Sequence, residues 1–111
     1  MNWILLTSDN QLDQIKTDSA TRPQLIFKHS TRCAISSMAR GRLERNTVPA
    51  GVDFYFLDLL AHRNISQKLS AVFNVPHESP QVLLIKNSIC VYHESHSGIS
   101  MDEIAEKSMA A

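Results

Sequence analysis

The stretch FKHSTRCAIS, Phe27 to Ser36, decides how this chain is read. Leading into it, Gln24-Leu25-Ile26-Phe27-Lys28 is a short, mostly apolar run of strand length. Beyond it, Ile35, Met38, Ala39 and Leu43 fall at i, i+3, i+4 and i+8, one face of a helix running from Cys33 to about Asn46. Arg40, Arg42, Glu44 and Arg45 lie mostly on the other face, and Gly41 weakens the helix by roughly 1 kcal/mol against alanine. Cys33 therefore stands where a strand hands over to a helix. Three residues on there is a serine, Ser36, and no second cysteine. Either Cys33 is a working thiol or it is a small buried residue at a turn.

Working outward, helix and strand signals alternate. Ser8-Asp9-Asn10-Gln11 has the spacing of a capping box, and Leu12 and Ile15 follow on one face, which predicts a first helix near residues 9–19, closed by Arg22-Pro23. After the loop Thr47-Val48-Pro49-Ala50-Gly51, the run Val52 to Asp58 is aromatic and apolar and reads as a buried strand. Ile65, Leu69, Val72 and Phe73 repeat at helical spacing from Arg63 to Phe73. Asn74 then tolerates the left-handed exit, and Pro76 cannot continue the helix. Two strands follow, Gln81–Lys86 and Ile89–His93, separated only by Asn87-Ser88, the signature of a hairpin. Ser100-Met101-Asp102-Glu103 opens a short tail helix with Met101, Ile104, Ala105 and Met109 on one face.

The predicted order is α-β-α-β-α-β-β-α, an α/β domain. A strand–helix–strand crossover makes the first two strands parallel, and the hairpin adds an antiparallel pair. The expected product is a mixed four-stranded sheet flanked by helices. A ferredoxin-like βαββαβ arrangement does not fit this order.

The bulk properties agree with one domain over residues 1–111. Apolar residues make up 43% and charged residues 20%, and eleven basic side chains balance eleven acidic ones. No strong field points to nucleic acid or an anionic membrane. No apolar run approaches the ~20 residues of a membrane span. The start Met1-Asn2-Trp3-Ile4-Leu5-Leu6 lacks the basic n-region and long h-region of a signal peptide. Two cysteines, Cys33 and Cys90, make no disulfide scaffold, so a reducing cytoplasm is expected.

Chemistry at Cys33 is expected on physical grounds. The free N–H groups at a helix start, those of Ala34 and Ile35, and the macrodipole favour a thiolate there. Lys28, His29 and Arg32 add positive charge nearby. The element order is that of the thioredoxin fold, which sets its active cysteine between the first core strand and the next helix. That fold also places a cis-proline before the third core strand, facing the cysteine. Ser79-Pro80, just before Val82-Leu83-Leu84-Ile85, occupies that position and implies a substrate-binding turn. Ser97, Gly98 and Ser100, at the start of the last helix, offer N–H groups for a ligand carboxylate.

The run Lys28-His29-Ser30-Thr31-Arg32-Cys33-Ala34-Ile35-Ser36, with His93-Glu94-Ser95-His96-Ser97-Gly98-Ile99-Ser100 near the end, resembles the monothiol bacilliredoxins. These are small redox proteins of the bacillithiol system with a thioredoxin fold, and the resemblance spans essentially the whole chain. It implies removal of bacillithiol, or a similar low-molecular-weight thiol, from mixed disulfides on client proteins. The small thiol is then a co-substrate, no cofactor is bound, and a reductase is a further partner. The family typically carries Thr-Cys-Pro-Ile-Ser. Here Arg32 stands before the cysteine and Ala34 replaces the proline, which frees a backbone N–H at the helix start.

Two other functions share this pattern. A glutaredoxin-like iron–sulfur carrier has Cys-Gly-Phe-Ser, which Cys33-Ala34-Ile35-Ser36 lacks. A non-catalytic binding module of the same fold needs no thiol chemistry. Cys90, within Ile89-Cys90-Val91-Tyr92, is expected in an edge strand, too far from Cys33 for a disulfide. Of the five histidines only His93 and His96 are spaced as a pair, and without partner ligands no metal site is expected. Ser36 reads as a solvated or backbone-bonded helix serine.

Overall fold

A computed structural model describes residues 1–110. In chain order the elements are β1 (Ile4–Leu5), α1 (Asp9–Asp18), β2 (Gln24–His29), α2 (Ala34–Glu44), β3 (Asp53–Asp58), α3 (Arg63–Phe73), β4 (Gln81–Lys86), β5 (Ile89–Ser95), a 3-10 turn (His96–Gly98) and α4 (Met101–Met109). They form a five-stranded sheet in the order β1-β3-β2-β4-β5. β2 runs parallel to β3 and antiparallel to β4, and β4 antiparallel to β5. This is the thioredoxin fold.

The four-stranded expectation is corrected by β1. Ile4 and Leu5 pair in parallel with Tyr55 and Phe56, and the Leu6 N–H donates to the Phe56 carbonyl at 2.9 Å. A two-residue strand has no period to recognise. It forms because its flanks are anchored: Leu6 is fully buried, and the Trp3 ring stacks on Phe27 at 5.6 Å and meets Phe54 and Phe56 edge-on.

Both faces of the sheet are covered, which is why β2 and β4 read as continuous apolar runs. Ile26, Tyr55, Leu57, Leu83 and Ile85 pack with Leu12 and Ile15 of α1 and Ile65, Leu69 and Phe73 of α3. Leu25, Phe27, Phe54, Phe56, Val82 and Leu84 pack with Ala39 and Leu43 of α2 and Met101 and Ile104 of α4. The capping box of α1 is present, Asn74 closes α3 in the left-handed conformation at φ 54°, and Asn87 and Ser88 turn the hairpin at φ 53° and 65°.

The buried face of α2 is not the expected one. Ser36, Ala39 and Leu43 face inward, while Ile35 and Met38 are 56% and 64% exposed. On that inner side the Ser36 oxygen meets the Ser30 N–H and His29 Nδ1.

Candidate thiol site

Cys33 is the N-cap of α2, in extended conformation at φ −110° and ψ 120°, with a free, half-buried thiol. Its N–H donates to the Ser30 carbonyl at 3.1 Å, and its own carbonyl accepts the Ser37 N–H at 3.0 Å. The Ser36 oxygen accepts the Ser30 N–H at 3.0 Å and lies 2.6 Å from His29 Nδ1. Residues 29–37 thus form a closed clasp with Cys33 at its tip. Both His29 and Ser36 are buried. Burial first, and then the Arg40 guanidinium, hold the His29 pKa below its ordinary value, against the pull of Asp58, Ser36 and Glu44. A neutral imidazole accepting on Nδ1 lets the Ser36 hydroxyl donate to it. Ser36 is therefore backbone-bonded, through the Ser30 N–H, and not solvated. The partner that holds it sits seven residues earlier on another element, which no local pattern reveals.

The basic residues divide. Side chains alternate along a strand, so Lys28 lies on the face of Ile26, away from α2 and Cys33. It is fully buried, with Nζ 2.7 Å from His77 Nδ1 and 2.9 Å from the Gln81 side-chain oxygen. The expected role of Lys28 beside the thiolate is corrected by that geometry. Arg32 stays on the exposed turn before Cys33, and Ala34 and Ile35 form the exposed first turn of α2.

Desolvation lowers the Lys28 pKa from 10.5 to about 8, against an opposing pull from Glu78. Unfolding restores the ordinary value, so between about pH 8 and 10.5 the unfolded chain binds more protons and stability rises with pH. Below about 8 both states are protonated and the penalty is constant. Urea midpoints of the wild type should therefore climb with alkaline pH relative to those of Lys28→Met. Parallel curves for the two proteins would contradict a protonated amine in that position.

The Ser79–Pro80 bond is cis, and Pro80 is buried. Gln81 pairs with Lys28, so Ser79-Pro80 meets the end of β2 from which the Cys33 turn departs. The Ser79 hydroxyl oxygen is buried without a hydrogen-bond partner. Ser97 and Gly98 fall in the 3-10 turn, and Ser100 caps α4. The Arg42 side chain of α2 ties this segment down, donating to the His96 carbonyl at 3.0 Å and the Ile99 carbonyl at 3.4 Å. A Cβ on Gly98 would stand 2.6 Å from the Glu94 carboxyl carbon, so a side chain there would displace the Glu94 carboxylate. A ligand carboxylate at Ser97, Gly98 and Ser100 would meet the charge of Glu94.

Cys90 is in the edge strand β5, with β4 between it and β2, and its thiol is also free. Its S–H donates to the Tyr92 carbonyl at 3.4 Å, and burial raises its pKa. No helix among the described residues is long and apolar enough to cross a membrane.

Known structures share this arrangement. A protein described as a candidate oxidoreductase with a thioredoxin fold superposes with TM-score 0.78 at 29% identity, over 93% of this chain and 90% of its own. Thioredoxin of Malassezia sympodialis gives 0.79 at 17% identity over 98% and 92%. That of Fasciola hepatica gives 0.70 at 16% identity over 93% of each chain. The last two likenesses speak to the fold alone. The model of one family, the monothiol bacilliredoxin BrxC, matches residues 4–104, nearly the whole chain. With one thiol at the head of α2 and a serine where a second would stand, this redox protein belongs to the monothiol bacilliredoxin family.

Proposed function

We propose that the protein removes a low-molecular-weight thiol of the bacillithiol type from mixed disulfides on client proteins, using Cys33 as its only reacting sulfur. The observation that carries the reading is the free Cys33 thiol at the N-cap of α2, clasped through Ser36 and His29. The helix start favours the anion of that sulfur. The Cys33 thiolate attacks the small-thiol sulfur of the mixed disulfide. That sulfur–sulfur bond breaks, a new one forms to Cys33, and the client leaves as a thiolate that takes up a proton. A second small thiol, as its thiolate, then attacks the adduct. It departs with the first as their disulfide and returns Cys33 as thiolate. A reductase partner can supply the same two electrons. The cis Ser79-Pro80 turn, which meets the end of β2, serves in this reading as the surface for the incoming substrate, and Arg32, next to Cys33 in the chain, contributes positive charge. The chemistry needs no bound cofactor and suits a reducing compartment such as the cytoplasm.

The test is intact mass spectrometry after incubation with a client protein carrying one small-thiol mixed disulfide. The expected result is a client lighter by one thiol and this protein heavier by the same mass, with the adduct on the peptide containing Cys33. A client that keeps its thiol through the incubation would refute the exchange.

A further inference from the structure

Lys28 points away from Cys33, yet it is fully buried, and among the described residues no carboxylate lies within ion-pair distance of it. Its acceptors are His77 Nδ1 at 2.7 Å and the Gln81 side-chain oxygen at 2.9 Å. Burial and the Lys28 charge hold the His77 pKa down, which keeps that ring nitrogen an acceptor. The Glu78 carboxylate is turned instead to His96 Nε2 at 3.6 Å. A buried ion without a counter-ion is costly, and an apolar side chain of similar volume in its place is often neutral or stabilising. Methionine has nearly the length of lysine and no charge. Stability alone therefore gives no reason for a lysine at this position.

What the ammonium does hold is the segment that leads into β4. Residues 75–80 belong to no helix or strand, so side-chain bonds take the place of a backbone ladder there. Lys28 stands opposite Gln81 in the antiparallel register of β2 and β4. The Gln81 oxygen that accepts from Lys28 also accepts the Glu78 N–H at 3.3 Å, and the Gln81 amide donates to the Pro76 carbonyl at 3.1 Å. One glutamine side chain thus spans the segment, and Lys28 reaches it a second time through His77. On the far side of the turn the Pro80 carbonyl accepts the His96 N–H at 3.0 Å. Pro76, His77, Glu78 and Pro80 are all tethered, and Ser79 lies between the tethers.

We propose that Lys28 is a positioning residue for client capture: through Gln81 and His77 it fixes the path of residues 76–81 and so the shape in which the Ser79-Pro80 turn meets an incoming client. The role rests on the reading of that turn as the substrate surface. It gives the buried cation a function on the face of the sheet opposite α2, reached through β4 and not through the thiol.

The test uses the full chain and a client protein carrying one small-thiol mixed disulfide, with KM and kcat measured separately. Lys28→Met should raise KM on the order of fivefold, the scale of one net hydrogen bond, and keep kcat within about twofold. Its urea midpoint near neutral pH should equal or exceed that of the wild type. Gln81→Met should raise KM as well, and the double variant no more than the larger single change, because both act through one set of bonds. His77→Ala, at the exposed end of that set, should move KM in the same direction and needs no repacking of the interior. Amide hydrogen exchange at Glu78 and His96 should quicken in Lys28→Met, since those N–H groups report the tethers directly.

An unchanged KM in Lys28→Met or in His77→Ala would overturn the proposal. So would a loss of kcat at constant KM, which would put Lys28 in the chemistry of Cys33. A KM rise matched by a lower urea midpoint would reduce Lys28 to a structural residue, and additive effects of Lys28→Met and Gln81→Met would overturn the route through Gln81. A wild type that never takes the small thiol from its client, with exchange at Glu78 and His96 still quickened by Lys28→Met, would sink the exchange reading and client capture with it. Lys28 would then stand only as the residue that shapes the segment.

Discussion

Cys33→Ser should abolish thiol transfer outright, while Ser36→Cys should keep the first exchange and change how it ends. A serine hydroxyl does not ionise near neutrality and forms no disulfide, so the client keeps its adduct and turnover falls to the uncatalysed rate. Ser36 is the third residue of α2 after the N-cap. Residues so spaced on a helix have Cα atoms about 5–6 Å apart, within the roughly 4.4–6.8 Å that a disulfide spans. A sulfur there can attack the mixed disulfide at Cys33 and expel the small thiol. By intact mass the variant should finish about 2 Da lighter than its reduced form, with no adduct, where the wild type accumulates one. The exchange of oxygen for sulfur also weakens the contact with His29 Nδ1 and the Ser30 N–H, at a stability cost of about 1–2 kcal/mol. An adduct on Ser36→Cys as persistent as on the wild type would show that the position does not face Cys33.

Phe27→Ala should cost about 3–5 kcal/mol, a large share of the 5–15 kcal/mol that typically separates folded from unfolded domains. Phe27 is fully buried in β2, stacks on Trp3 at 5.6 Å, meets Phe56 at 6.0 Å and lies 5.6 Å from the His29 ring. Its removal leaves a cavity under the strand that holds the Cys33 turn and loosens the anchor of β1. The control is Ile35→Ala, two residues past Cys33, where 56% exposure predicts a change within about 0.5 kcal/mol. Urea unfolding of both variants tests the contrast. A Phe27→Ala loss near that of Ile35→Ala would mean that the aromatic cluster is not the core of this side of the sheet.

That contrast also marks where sequence periodicity failed. Ile35 and Met38 belong to the apolar spacing of α2, yet the chain buries Ser36 in their place. An apolar pattern counts hydrophobic residues and cannot register a serine whose oxygen is claimed by a histidine and an N–H on the preceding strand and turn. Lys28 misleads in the same way. Four residues separate it from Cys33 along the chain, but strand alternation sends its side chain through to the other face.

What the sequence by itself determined is whatever local chemistry controls. The α3 boundaries follow from one apolar stripe and a left-handed Asn74, the hairpin from Asn87-Ser88, and the place of Cys33 at a helix start from the strand before it and the apolar spacing after it. That no second thiol follows Cys33 at the head of α2, on which the one-sulfur chemistry proposed for it rests, is legible in Ser36. Only the tertiary structure decided the rest. β1 exists because Trp3 and Leu6 find partners some fifty residues away on β3. The clasp of His29 and Ser36, and the pairing of buried Lys28 with His77, join groups 7 and 49 residues apart. Such contacts form only when packing brings distant polar groups together, and each is then held because its buried member cannot be left in the interior without a partner.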